Sequence, residues 1–116
     1  MIELFLVACG GLGGAVSRLK IQKMFETSII PVATLVVNLL GSFLLGLIAG
    51  VGIQGNLFLL TATGFMGAFT TFSTLNVDLV KLFSNKQSTA GIQYIFITYI
   101  GGLLCVGAGL FLGRLV

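Results

Sequence analysis

The chain has 116 residues, of which 57% are hydrophobic and only 8% are charged, and its net charge is +3. A soluble domain of this size needs far more charged side chains to cover its surface, so the composition indicates an integral membrane protein. The chain has no histidine, which excludes histidine-based proton relay, zinc binding and histidine-dependent nucleophilic catalysis.

The positions of the charged residues predict four membrane-spanning helices. No charged residue lies between Glu26 and Asp78, which leaves room for two spans of about 20 residues each. The uncharged stretch between Lys86 and Arg114 has room for one more. A fourth span fits at the N-terminus, where no basic start or small-residue cleavage site indicates a removable signal peptide. We therefore expect a single integral membrane domain over residues 1–116.

The first two helices are predicted over about residues 1–22 and 31–51. The run CGGLGGAVSR makes the second half of the first helix rich in glycine, and a proline opens the second helix. Small residues recur every four positions on the second helix, at Ser42, Gly46 and Gly50. Helices in lipid use such residues to bring their backbones close, so we expect close packing along this face.

Asn38 lies about seven residues into the second helix, within LVVNLLG. A buried amide at this depth can hold two helices together by hydrogen bonding. It can also present its nitrogen to a permeating anion, since polar groups inside a membrane often mark ion pathways. The residues alone leave both interpretations open.

The third helix, predicted over about residues 57–82, contains the run GFMGAFTTFSTLNVD. Two glycines precede four hydroxyl residues within five positions: Thr70, Thr71, Ser73 and Thr74. This composition predicts a helix that is broken near its middle, where freed carbonyl groups can bind a sodium ion. The alternative for each hydroxyl is a hydrogen bond to the carbonyl one turn earlier. The phenylalanines of the run either pack in the core or offer positive ring edges to an anion.

The fourth helix is predicted over about residues 91–115, again with glycines for close packing. The three acidic residues, Glu3, Glu26 and Asp78, all lie near the ends of predicted spans. A proton-coupled transporter needs a carboxylate near mid-membrane. A passive pathway for a small anion is compatible with these positions. Four thin helices cannot enclose much of a pore alone, so we expect an oligomer.

The run GFMGAFTTFST, together with GGLGGAVSR, TLVVNLLGSFLLG and YIFIT, resembles the small bacterial fluoride channels of the Fluc/CrcB family over essentially the full chain. The resemblance implies an all-α membrane protein, namely an antiparallel dual-topology-type dimer of four-helix subunits in the bacterial cell membrane. It further implies passive fluoride efflux that lowers cytoplasmic fluoride, through two narrow pathways beside a structural sodium ion that is not transported.

The resemblance also assigns roles to individual residues. The sodium ion is expected on the backbone carbonyls of Gly67 and Thr70, and Arg18 is expected to contribute positive charge. The fluoride pathway is expected at four positions: Asn38, Phe72, Tyr94 and Thr98. We add three hydroxyl residues as hydrogen-bond donors to fluoride: Thr71, Ser73 and Thr74.

The sequence departs from the family pattern at Leu75, where the family usually has a second phenylalanine, and at Gly102, where it has a serine. A leucine offers no ring edge, so at least one pathway built from this chain is expected to conduct poorly or not at all. The alternative function is therefore a non-conducting structural subunit of a heterodimeric fluoride channel.

Basic residues are distributed unequally between the two predicted sides of the membrane. Five lie on one side and only Arg114 lies on the other; the five are Arg18, Lys20, Lys23, Lys81 and Lys86. The positive-inside rule then places both termini outside. A subunit that must insert in both orientations should be nearly balanced, so we expect a heterodimer with a paralogous subunit of opposite bias, with a homodimer as the alternative.

Two other classes of protein fit the sequence poorly. A small multidrug exporter has a similar length and also forms antiparallel dimers, but it needs a mid-membrane glutamate in its first helix, and Glu3 is too near the end. An enzyme is not expected, because the sequence contains no nucleophile–base pair and no set of metal ligands.

Overall fold

The computed structural model describes residues 1–24, 32–70 and 73–116, and every regular element in these ranges is helical. The elements are α1 (Ile2–Met24), α2 (Val32–Val51), α3 (Gly55–Phe58), a π-helix (Leu59–Met66), α4 (Gly67–Phe69), α5 (Ser73–Ser84) and α6 (Ser88–Leu115). Within the described ranges, α1, α2 and α6 are long and apolar enough to cross a membrane. Four residues discussed above lie outside these ranges: Glu26, Pro31 (the proline at the start of the second predicted helix), Thr71 and Phe72.

The third predicted helix consists of two described parts. α3, the π-helix and α4 form the apolar segment Gly55–Phe69, which is shorter than a full membrane span. Thr70 then leaves the helical conformation, with φ −78° and ψ 156°, and α5 begins at Ser73. The helix therefore ends where the cluster of hydroxyl residues predicted an interruption. The eight-residue π-helix was not predicted, and it is longer than the single-turn π-bulges that are usual in proteins.

α2 and α6 pack against each other and run parallel. Gly46 faces the backbone of Val106 and Leu110, and Gly50 faces Leu110 and Gly113, so the residue numbers of the two helices rise together. A Cβ at Gly46 would lie only 3.1 Å from the amide nitrogen of Leu110. The close packing predicted from glycines spaced four apart is confirmed on this face.

α1 packs in the same parallel manner against the segment Gly55–Phe69. Gly10 faces Gly64 and Phe65, and Gly14 faces Phe65 and Phe69. A Cβ at Gly14 would lie 3.0 Å from the amide nitrogen of Phe69, so side chains larger than hydrogen cannot be accommodated without movement. The glycine-rich half of α1 is thus a contact surface for the π-helix and α4.

The chain reverses direction between α2 and α3 at Gly52 and Gly55, which adopt φ values of 84° and 69°. Glycine adopts this left-handed conformation without the steric cost that a Cβ imposes. The outer surface of the helices is strongly apolar, since Leu4 and Leu103 are 71% and 76% exposed. Large apolar side chains are exposed on every long helix, which is typical of a protein that is surrounded by lipid.

Candidate functional site

A cavity of about 410 Å³ lies between α2, the end of α4, α5 and α6. Its polar lining consists of Asn38 and Ser42 on α2, Thr70 after α4, and Thr98 and Tyr99 on α6, with Leu75 of α5 beside them. None of the described residues that line the cavity carries a charge. The site is therefore neutral, offers hydrogen bonds and lies between helices that are otherwise apolar.

The lining residues share one face of each long helix. On α2 they include Asn38, Gly41 and Ser42, and on α6 they include Thr98 and Gly102, spacings that place side chains on the same side of a helix. A Cβ built at Gly102 would lie 3.6 Å from Oγ of Ser42, which is an ordinary contact. The site could thus hold a serine at position 102, and the glycine leaves that volume open.

Thr98 is 8% exposed, and its hydroxyl has no hydrogen-bond partner among the described residues. Leaving a buried hydroxyl unpaired costs about 1–3 kcal/mol. A hydroxyl that bears such a cost, on a residue that lines the cavity, is available to a ligand that accepts a hydrogen bond. This observation makes Thr98 the strongest side-chain candidate in the site.

Tyr94 lies one helical turn before Thr98 and is fully buried. It packs in a cluster with Leu75 and Leu82, and Leu75 is itself only 2% exposed. Leu75 therefore connects the two regions, since it lines the cavity and belongs to the cluster around Tyr94. The predicted pathway residues of α6, Tyr94 and Thr98, therefore lie close to Leu75, where the sequence departs from the family pattern.

Thr70 ends the helical segment with two hydrogen bonds to one acceptor. Its amide N–H and its hydroxyl both donate to the carbonyl of Met66, over 3.0 Å and 2.9 Å. The alternative interpretation of the hydroxyl cluster, a bond to the carbonyl one turn earlier, therefore holds for Thr70. Gly67 is exposed, and a Cβ built on it would meet nothing within 4 Å.

The remaining predicted residues are not all brought to the cavity. Ser73 and Thr74 form the first turn of α5, between Thr70 and Leu75. Arg18 is half-buried on α1 and does not line the cavity. One cavity is therefore lined by Asn38, Thr70, Leu75 and Thr98. Arg18 lies instead on α1, which packs against the π-helix and α4.

Three polar residues of this region were not predicted from the sequence, and one of them is Tyr99, which lines the cavity from α6. Ser42 was assigned to helix packing, yet it lines the cavity. Thr34, which is 3% exposed, was not singled out, yet it lies beside the hydroxyl of Tyr94. The signal was present in the sequence, because Thr34, Asn38 and Ser42 repeat a polar residue every four positions along one face of α2.

Comparison with known proteins gives concordant matches. Residues 5–110 match the family model described as CrcB-like protein, Camphor Resistance (CrcB). The chain is 44% identical to Fluoride-specific ion channel FluC 2 of Bacillus cereus, over 97% of this chain and 98% of that protein. It is 43% identical to Fluoride-specific ion channel FluC 1 of Geobacillus kaustophilus, over 93% of this chain and 95% of that protein. The corresponding protein of Streptococcus pneumoniae, also named FluC 1, is 38% identical over 97% and 100%.

Proposed function

The chain belongs to the CrcB family, and we infer that it is a fluoride-specific ion channel, a multi-pass membrane protein and not an enzyme. The observation in the structure that carries this inference is the uncharged, hydrogen-bonding cavity between α2 and α6. Relatives that match nearly the full chain are named fluoride-specific ion channels, which agrees with such a pathway. Conduction is passive, driven by the fluoride gradient and the membrane potential, and net efflux lowers fluoride in the cytoplasm.

Fluoride is small and holds its water tightly, so a pathway must replace that water with hydrogen-bond donors. Thr98 lines the cavity, and its hydroxyl is buried and has no partner among the described residues. The Asn38 amide lines the same cavity from α2. These two groups supply donors from two helices, and no described residue that lines the cavity carries a charge that would trap the anion.

We propose that this pathway continues along four consecutive residues: Thr71, Phe72, Ser73 and Thr74. They follow Thr70 and precede Leu75, both of which line the cavity. The hydroxyls would donate hydrogen bonds and the ring of Phe72 would offer its positive edge to fluoride. Tyr94 adds a hydroxyl one turn from Thr98.

A structural sodium ion, which is not transported, is proposed on the main-chain carbonyls of Gly67 and Thr70. The residues fit such an ion because the helix ends at Phe69, and the last carbonyls of a helix lack intrahelical partners and carry the negative end of its dipole. The open space beside Gly67 lets a second subunit approach. The ion would supply fixed positive charge beside the pathway, and Arg18 would add to that field.

The proposed assembly is an antiparallel dimer of subunits with four spanning helices, the third formed by the segment Gly55–Phe69 together with α5. The excess of basic residues on one side favours one orientation for this chain. We therefore propose a heterodimer with a paralogous subunit of opposite bias, with a homodimer as the alternative. The occurrence of both FluC 1 and FluC 2 among the names of its relatives supports paralogous subunits.

The alternative of a non-conducting structural subunit rests on Leu75 alone. Conduction is favoured by the buried Thr98 hydroxyl, which has no partner in the described part of the chain, and by the names of the relatives. A small multidrug exporter is not favoured, because no described residue that lines the cavity is acidic.

Fluoride efflux from liposomes, read with a fluoride electrode, tests the proposed function. The purified chain is reconstituted alone and together with a paralogue of opposite charge bias, in sodium buffer and in sodium-free buffer. We expect fluoride efflux that requires sodium, and no chloride efflux under the same gradient. Efflux from the chain alone would establish a homodimer, whereas efflux only from the mixture would establish the heterodimer. Folded protein that releases no fluoride in either preparation contradicts the proposal.

A further inference from the structure

A second groove, the outer groove, lies on the side of the α2–α6 pair that faces away from the cavity, and its volume is about 540 Å³. It is lined by four apolar residues of α2, from Val36 to Phe43, and by Leu104, Cys105 and Ala108 of α6. None of these residues lines the cavity. The described lining contains no side-chain oxygen or nitrogen, so the outer groove suits an apolar occupant.

The outer groove lies at the depth of one leaflet of the bilayer. α2 begins at Val32, and Phe43 at the far end of the groove follows 11 positions later. At about 1.5 Å per residue, this distance is about 16 Å. Half of the hydrocarbon core of a bilayer is about 15 Å thick. The groove therefore extends as far from the start of α2 as one acyl chain extends from its headgroup.

The start of α2 lies at the basic side of the membrane. Because α2 and α6 run parallel, α6 starts at this side too, and Lys86 precedes its first residue, Ser88, by two positions. Lys81 lies in the last turn of α5, and both lysines are exposed. No acidic residue is exposed among the described residues of α5 and α6. The charge at this end is thus complementary to an anionic headgroup.

Helix dipoles account for Lys81 but not for Lys86. A cation in the last turn of α5 faces the negative end of that helix, as Lys81 does. Lys86 lies between this end and the start of α6, whose positive end repels it. Its φ is 60°, a conformation that glycine adopts without strain and that commonly holds glycine after a helix. A lysine at this position therefore needs another explanation, which an anionic partner supplies.

One face of α6 connects the outer groove with this basic end. Leu104 is preceded by Ile100, Ile97 and Gln93 at intervals of four, three and four positions, and all four side chains are exposed. These intervals place them on one side of the helix. Gln93 is again about 16 Å from Leu104 along the helix axis, at the depth of a headgroup. Lys86 lies beyond Gln93, and its flexible stem can bring the ammonium group to a phosphate.

We propose that the outer groove binds an acyl chain of an anionic phospholipid from the leaflet on the basic side, with the phosphate held near Gln93 by Lys81 and Lys86. Basic residues next to a membrane span attract anionic lipids, and the positive-inside rule places this leaflet on the cytoplasmic side. The chain lies against both α2 and α6 and stabilises their contact. The proposal concerns lipid binding and does not depend on fluoride conduction.

Unfolding temperatures in a neutral detergent test the proposal. Dioleoyl phosphatidylglycerol should raise the unfolding temperature of the purified chain by about 4 °C or more. Dioleoyl phosphatidylcholine, which has the same chains and no net charge, should raise it by less than about half as much. Glycerol phosphate, which carries the charge without the chains, should leave it unchanged. Equal shifts with both lipids, or a shift with glycerol phosphate alone, overturn the proposal.

Two variants separate the groove from the headgroup site, each with a matched control. Ala108→Phe fills the groove and should abolish the shift with phosphatidylglycerol, whereas Ala8→Phe, at an exposed position of α1, should keep it. Replacing Lys81 and Lys86 together by glutamine should reduce the shift to that of phosphatidylcholine, whereas Arg114→Gln at the opposite end should not. A shift that survives both Ala108→Phe and the double lysine replacement overturns the proposal.

Cys105 reports on the outer groove without any change to its lining. In a Cys9→Ser chain it is the only cysteine, and phosphatidylglycerol should slow its alkylation by a maleimide severalfold. In a Cys105→Ser chain, the exposed Cys9 of α1 should react at the same rate with and without the lipid. An unchanged rate at Cys105 overturns the inference. Protection of Cys105 without lipid that disappears on dilution would assign the groove to a second copy of the chain, and it also overturns the inference.

Discussion

Gly109→Ala tests whether the glycine faces set the separation of α2 and α6. The new Cβ would press on the carbonyl oxygen of Phe43 and lie 2.8 Å from the amide nitrogen of Leu47, whereas ordinary contacts begin at 3.4 Å. The two helices must therefore move apart by at least about 0.6 Å at this level, because backbone atoms cannot rotate away as a side chain does. Overpacking of this kind costs about 1–3 kcal/mol. The better helix propensity of alanine offsets about 0.5–1 kcal/mol of this cost, which leaves a net loss of up to about 2.5 kcal/mol.

Gly107→Ala is the matched control on the same helix, because a Cβ there meets nothing within 4 Å. It should leave the protein as stable as before or raise its free energy of unfolding by about 0.5–1 kcal/mol. Unfolding of the two variants in detergent, followed by the loss of helical circular dichroism, measures the difference. Gly109→Ala protein that unfolds at the same temperature as Gly107→Ala would refute the reasoning about backbone contact. Because the cavity lies between the same two helices, fluoride efflux of Gly109→Ala should fall together with its stability.

Three further substitutions probe the pathway. Asn38→Asp should abolish fluoride efflux by placing a negative charge in the cavity, while Asn56→Asp on the exposed α3 should not; equal efflux from both would remove Asn38 from the pathway. Thr98→Val should lower efflux about tenfold or more yet leave the free energy of unfolding unchanged or up to about 1 kcal/mol higher, because the buried hydroxyl has no partner to lose among the residues that the structure describes. Unchanged efflux would assign Thr98 to structure alone. Leu75→Phe should raise efflux by adding a ring edge to the pathway, at a stability cost of about 1–3 kcal/mol in this tightly packed position; a fall in efflux from folded protein would contradict that role.

Several features of the fold could be predicted because they depend on local composition. Apolar runs without charge predict the long helices, and glycines spaced four apart predict the close approach of α2 to α6. The hydroxyl cluster around Thr70 predicts the end of α4, because such side chains satisfy backbone groups that leave a helix.

The pairing of the helices could not be predicted in the same way. The short turn at Gly52 indicates only that the next helix runs back beside α2, whereas the main partner of α2 is α6, far away in the sequence. The place of Ser42 in the cavity follows from that pairing, and the place of Asp78 beside Tyr94 follows from the packing of α5 on α6. Such contacts depend on tertiary packing, and no local pattern in α5 indicates that the carboxylate of Asp78 faces α6.

The parallel contact of α2 with α6 has a consequence for biosynthesis. The face of α2 that carries Gly46 and Gly50 is completed only by α6, which the ribosome makes after every other helix described above. Until then this face lies against lipid, and the wall of the cavity that bears Thr98 does not exist. Helices that insert one by one and associate afterwards can tolerate such a delay. Closure of this wall of the pathway therefore cannot precede the insertion of α6, and a nascent chain interrupted before α6 leaves the groove on α2 unfilled.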